Sequence, residues 1–311
     1  SFLVRAAGAE QNARGKSLVV VFQRGGMDGL NVVVPFKDQA YYALRPTIAV
    51  KEPASGDERG IDLDGYFALH PALAPLKAIY DKRQLAIIHA AGSPDNSRSH
   101  FDSQDYMELG TPGTKSTPEG WLNRYLSEKR APESPFRGVA VSPQMPRTLA
   151  GAAPALSMSS IEEFRLRNLA MAGPLEKLYT NSADPLFRQG GKTLFEAMAR
   201  LRAIESKIPP STATYSAGRF GTGLKQIARL IKADVGLEVA FTEIEGWDTH
   251  VAEGGASGQL ANRLKELGEG LAAFYQDLGL LLTVDAHGAP GEILNRTLQQ
   301  LNARRLAAAA V

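Results

Sequence analysis

Four short segments of this 311-residue chain bring carboxylates, imidazoles and a serine together at spacings that could do chemistry. In Arg24-Gly25-Gly26-Met27-Asp28-Gly29-Leu30-Asn31, three glycines around one aspartate let the backbone turn sharply and carry a carboxylate into a crevice. The same Asp28 could equally cap a turn. The spacing is not Gly-x-Gly-x-x-Gly and no Lys-Ser/Thr follows, which excludes a dinucleotide fingerprint and a P-loop. In Ser97-Arg98-Ser99-His100-Phe101-Asp102, Ser99 stands at a predicted helix start. There it would face free N–H groups and the positive end of the helix dipole, suited to holding an anion or activating an alkoxide. Serine is also a preferred N-cap residue, so a purely local role is open. In Gly246-Trp247-Asp248-Thr249-His250, Asp248 and His250 on one loop can both reach a single cation, and oxygen plus imidazole suits Zn, Mn or Fe better than Ca. Asp285-Ala286-His287-Gly288 repeats the Asp-x-His design, with a polar turn as the other reading.

The chain has no cysteine, which removes disulfides, thiolate nucleophiles, Cys-based zinc sites and iron–sulfur clusters. Any metal must be held by carboxylates and by the histidines at 70, 89, 100, 250 and 287. His89 ends a predicted strand and His70 precedes a proline; both read as satisfied, partly buried histidines without an assigned role.

The elements that would position these groups alternate. Ser17–Phe22, Leu85–Ala90, Gly236–Phe241 and Leu280–Val284 are short apolar runs that predict buried strands. Helical spacing follows His70-Pro71 (Leu73, Leu76, Ile79) and recurs over 102–109, 191–207 and 222–234. Between 259 and 277 the apolar positions Leu260, Leu264, Leu267, Leu271 and Phe274 form one face of a long helix. Strands alternating with helices predict an α/β sandwich with a mostly parallel sheet. The chemical segments all follow strands, and ligand sites in such sheets form outside the carboxyl ends. Residues 51–62, 110–118 and 130–155 read as loops.

Composition narrows the function further. The 44% hydrophobic and 22% charged content is that of a globular chain. Lys plus Arg less Asp plus Glu is 35 − 33 = +2, with no clustered basic patch, so nucleic acid is not an expected partner. No apolar run reaches the roughly 18 residues of a membrane span. Ala7-Gly8-Ala9 matches a small-residue cleavage pattern, so 1–9 reads as the remnant of an export signal or a frayed terminus, with 10–311 as one elaborated domain.

Several stretches together resemble the family known as domain of unknown function 1501, exported sulfatase-like proteins of the alkaline phosphatase superfamily. They are 24–31, Tyr42-Ala-Leu-Arg-Pro46, Leu69-His-Pro-Ala-Leu73, Ser97–Glu108 and Gly246–His250, in order, within a similarity spanning about 16–278. The resemblance implies an alkaline-phosphatase-like sandwich, a twin-arginine export signal and a periplasmic or secreted protein. It implies a metal-dependent hydrolase of phosphate or sulfate esters, using divalent ions such as Zn or Mn on a small-molecule or polymer substrate. Asp28 is then similar to the first metal-binding aspartate, Ser99 to the nucleophile with His100 beside it, and Asp248 and His250 to a later ligand pair. After Leu278 the family's Ser-Glu-Phe-Gly-Arg segment and His-Gly-rich block are replaced by Leu-Leu-Leu-Thr-Val-Asp-Ala-His-Gly, an atypical or truncated ending over 279–311. Asp285 and His287 resemble the superfamily's late Asp-His pair with one residue inserted. Loss of late ligands makes a non-catalytic binding or scaffold protein on the same fold the alternative expectation.

Overall fold

The computed structural model describes residues 16–53, 58–128, 134–164, 172–204 and 208–280, the backbone of 2–6, and single positions at 295 and 299. In chain order the strands are β1 (Phe2–Ala6), β2 (Ser17–Arg24), β3 (Val33–Val34), β4 (Ile61–Asp62), β5 (Ala68–Leu69), β6 (Gly138–Val141), β7 (Leu156–Met158) and β8 (Val239–Glu245). The helices are α1 (Gly29–Val32), α2 (Gln39–Leu44), α3 (Ala74–Asp81), α4 (His100–Leu109), α5 (Trp121–Glu128), α6 (Ala172–Thr180), α7 (Pro185–Ile204), α8 (Arg219–Lys232) and α9 (Gln259–Asp277).

The fold is α/β. Four parallel strands stand in the order β2-β8-β6-β7, and β1 adds antiparallel along the outer edge of β2. A small antiparallel sheet, β3-β5-β4, lies apart from it. The β-branched run in β2 fits this place because both faces are covered. Val19 and Val21 pack with α3, α8 and α9, while Val20 and Phe22 pack with Leu122 and Leu126 of α5. The predicted face of α9 is the buried one: Leu260, Leu264, Leu267 and Phe274 are fully buried and Leu271 nearly so. Each such side chain contributes about 1.5–3 kcal/mol by leaving water. Among the described residues, no helix is long and apolar enough to cross a membrane.

The sequence-based boundaries need four corrections. Leu85–Ala90 is not a strand: Leu85 and Ile87 pack against the main core, but Ile88 is 80% exposed and no ladder forms. The outer edge of β2 is already taken by β1, so this stretch has no strand to join there. Arg83 and Ala90, both with positive φ, bracket it. The strand expected at 236–241 starts later, at Val239, because Gly236 turns the chain with φ +83°. The loop expected over 130–155 contains β6, whose four residues are all buried in the sheet. Four small residues, Gly-Val-Ala-Val, are too short a run to stand out by periodicity. The loop expected over 51–62 ends in β4. The strand expected at 280–284 falls almost entirely outside the described residues.

Candidate metal centre

The carboxyl ends of β2 and β8, side by side in register with Arg24 opposite Glu245, form the floor of the site. Beyond β8, Trp247 is fully buried; its indole N–H donates to Ile244 O (3.0 Å) and its backbone N–H to Arg24 O (3.4 Å). That anchor turns Asp248 outward over the end of β2. Two glycines make the close approach possible. A Cβ on Gly25, whose φ is +125°, would lie 2.8 Å from Asp248 N, and one on Gly26 would lie 2.3 Å from the Cε1 of His100. The imidazole of His100, the first residue of α4, therefore rests directly on the Gly26 backbone.

Three side chains converge there. His100 Nε2 lies 3.3 Å and His250 Nε2 2.8 Å from the same oxygen, Asp248 Oδ1, with the imidazole centroids 6.1 Å apart. One ligand atom from each falls within 4.8 Å of the others, and among the described residues no other set of three His, Asp or Glu meets that spacing. Ligands about 2.0 Å from a tetrahedral ion stand about 3.3 Å apart, which is the His100–Asp248 separation. His250 is at hydrogen-bond distance and 77% exposed at its side chain, so a small outward movement would open the same spacing. Two imidazoles and a carboxylate fit Zn, Mn or Fe. Three protein ligands with an open side toward solvent are the pattern of a catalytic site rather than a structural one.

The other expected site residues are placed as follows. Asp28 is not in the cluster. It is the N-cap of α1, accepting from Leu30 N (3.1 Å), and its other oxygen is paired with Arg45. In the described structure this carboxylate is therefore engaged by a guanidinium and a helix end, apart from Asp248. His100, read as the neighbour of a nucleophile, lies in the cluster with Asp248 and His250. Ser99 is the N-cap of α4 and its Oγ accepts from Asp102 N (3.2 Å), so the local reading of this serine is realised. Asp285 and His287 lie outside the described residues. His70 is fully buried and satisfied at both nitrogens, by Ala72 N at Nδ1 (3.1 Å) and Gly255 O at Nε2 (2.9 Å). Burial lowers its pKa, against the Gly255 bond. His89 stacks on Phe67 with centroids 4.0 Å apart.

Beyond the ligands, the site has supports that sequence reading missed. Arg24 binds Glu243 on β8 (2.5 Å), Glu108 on α4 (2.9 Å) and Gln104 on α4 (3.2 Å). Its pKa is raised: burial works against the charge, but Glu108 and Glu243 outweigh it. Glu108 is buried and uses its second oxygen for Thr148 N (3.0 Å) and Thr148 Oγ1 (2.9 Å). On the far side, Glu253 accepts from the buried Asn31 Nδ2 (3.1 Å) and abuts Asp28. Burial and the Asp28 carboxylate push its pKa up, with Arg45 and Asn31 opposing. A signal for the Arg24 arrangement does exist in the sequence: His100, Gln104 and Glu108 are spaced by four and share one face of a helix.

No protein-family model matches the chain, and comparison with characterised proteins and with solved structures returns no match.

Proposed function

We propose that the protein is a metal-dependent hydrolase of phosphate or sulfate esters, built on an alkaline-phosphatase-like variant of the α/β fold and acting in the periplasm or outside the cell. The observation that carries this reading is the convergence of His100, Asp248 and His250 at the carboxyl end of the parallel sheet. The exported location and membership of the domain of unknown function 1501 family rest on the motifs at 24–31, 97–108 and 246–250.

The two Nε2 atoms and the Asp248 carboxylate would hold the divalent ion, Zn or Mn being favoured by the donor set. A bound ion supplies positive charge that polarises the ester and lowers the pKa of a hydroxyl. Ser99, the residue before His100 and the N-cap of α4, would be the nucleophile in this reading. Its oxygen would form the new bond to phosphorus or sulfur as the ester bond breaks and the alcohol leaves with the serine's proton; a water would then cleave the serine ester, releasing phosphate or sulfate and restoring the hydroxyl. Arg24 and the buried Trp247 keep the floor of the site rigid.

The test is metal uptake by equilibrium dialysis, followed by ester turnover. Wild type is expected to retain about one Zn or Mn per chain and the His100→Ala/His250→Ala variant none; equal retention by both would remove the metal reading. Ser99→Ala is expected to abolish turnover with metal retained, and undiminished turnover would remove the nucleophile. The second reading, a binding protein without turnover, is favoured by the engagement of Asp28 with Arg45 and of Ser99 as a helix cap. It predicts metal uptake with no ester hydrolysed.

A further inference from the structure

We propose that Arg24 is the positioning residue of the metal centre, holding the helix that presents His100 against the strand that leads to Asp248. This rests on the metal reading above. Helix α4 delivers His100 from its first residue, where helices fray. Gln104 and Glu108 lie one and two turns further along the same face. One nitrogen of Arg24, Nη1, reaches both of them, at 3.2 and 2.9 Å. Its Nε reaches Glu243 at 2.5 Å, five residues before Asp248 on β8. Arg24 is itself followed directly by Gly25 and Gly26, the residues on which Asp248 and the His100 ring rest.

A single side chain thus ties together the three segments that meet at the cluster: the end of β2, the helix that begins with His100 and the strand that precedes the Asp248 loop. The planar guanidinium matters because it presents Nε to Glu243 and Nη1 to Glu108 and Gln104 in one fixed plane, whereas an ammonium carries its three donors on a single rotatable nitrogen and does not reproduce that geometry. Glu108 is in turn locked by Thr148, so the pull on α4 has a fixed direction. An arginine that served stability alone would not need its partners on the ligand-bearing face of α4.

The experiment is a titration of the metal-free protein with Co²⁺, read by d–d absorbance, beside thermal unfolding of the same samples. Arg24→Lys is expected to bind Co²⁺ about 10–100-fold more weakly, the range for loss of a residue that orients a ligand, and its spectrum should approach that of His100→Ala. In a His100→Ala background, Arg24→Lys should cause no further loss of affinity, because its effect runs through His100. Gln104→Leu strands no charge and should give a smaller loss in the same direction. Wild-type affinity and spectrum in Arg24→Lys would overturn the inference while leaving the metal reading intact. So would wild-type affinity in Gln104→Leu should the lysine variant not fold, or additive losses in the double variant. Wild type that takes up no Co²⁺ would overturn the metal reading, and this role with it.

Discussion

Two aspartates at opposite ends of the sheet show how differently one side chain can be used. Asp277 ends α9, whose 19 residues span about 28 Å at the helical rise, so it lies far from the cluster at the helix's other end. Its side chain is fully buried and accepts from Ser211 Oγ (3.0 Å), Thr212 N (2.8 Å), Thr212 Oγ1 (3.1 Å), Tyr215 O–H (3.1 Å) and Lys232 Nζ (2.5 Å). Every lone pair is spoken for and the charge is neutralised locally. Asp248 is 44% exposed at its side chain and, among the described residues, its ion-pair partners are two imidazoles, both at one oxygen. Neither imidazole is a cation unless protonated. The first arrangement is closed and serves the fold; the second is open toward solvent, and among the described residues no Lys or Arg is paired with it. What separates the two carboxylates is satisfaction, not residue type.

The largest effect is expected at Asp277. Asp277→Ala leaves the part-buried Lys232 and the Ser211, Thr212 and Tyr215 donors without their partner, and loss of one member of a buried pair costs about 3–5 kcal/mol. Urea unfolding should show that loss, while metal uptake at the other end stays at the wild-type level; reduced uptake in a still-folded variant would mean that the two ends are coupled. The acid limb sharpens the point. Burial alone would raise the Asp277 pKa, but Lys232 and the Thr212 bonds outweigh it and hold the value below 3.8. Its stabilisation is therefore present above about 3.8 and lost as pH falls through the lower folded-state value, a dependence absent from the alanine variant.

A smaller effect is expected from Gly26→Ala. The new methyl would collide with the His100 ring, and overpacking of this kind costs about 1–3 kcal/mol. Its larger consequence is local: His100 is displaced and metal affinity falls, which calorimetric titration with Zn²⁺ would register. Asp248→Asn should be nearly silent in the metal-free protein, within about 0.5 kcal/mol of wild type as for other exposed substitutions. The rise in thermal midpoint on adding metal should vanish in it. Substantial destabilisation of the metal-free Asp248 variant would place this residue with Asp277 as a structural group.

Histidine 70 provides a third, independent point on pH. It is buried and neutral with its pKa lowered from 6.5, so the unfolded chain takes up the proton first. Stability should decline as pH drops below about 6.5 and continue to fall toward the lower folded-state value. In His70→Gln that part of the decline should disappear from a series of urea midpoints. Persistence of the full decline would assign it to other groups.

Much of the fold is local in origin and was legible. The stripe from Leu260 to Phe274 specified α9 to the residue, because a helix of that length needs only its own periodicity. The apolar run of β2 likewise announced a strand covered on both faces. Leu85–Ala90 has the same apolar character and is not a strand, because a strand needs a neighbour and composition does not provide one. Strand β6 went unseen for the opposite reason: four small residues become strand only when slotted between β8 and β7.

The sequence by itself determined which residue types were on hand for chemistry: carboxylates, histidines and serines, no thiols, and glycines placed after a strand where a backbone could come close to a ring. It also determined that Ser99 would cap a helix, since that bond spans three residues. Only the tertiary structure decided the partnerships. It gave Asp28 to Arg45, moved His100 into company with Asp248 and His250, and set Arg24 against α4 and β8. Those contacts join segments 17 to 219 positions apart, and such pairings follow from how whole elements pack, which no local spacing encodes.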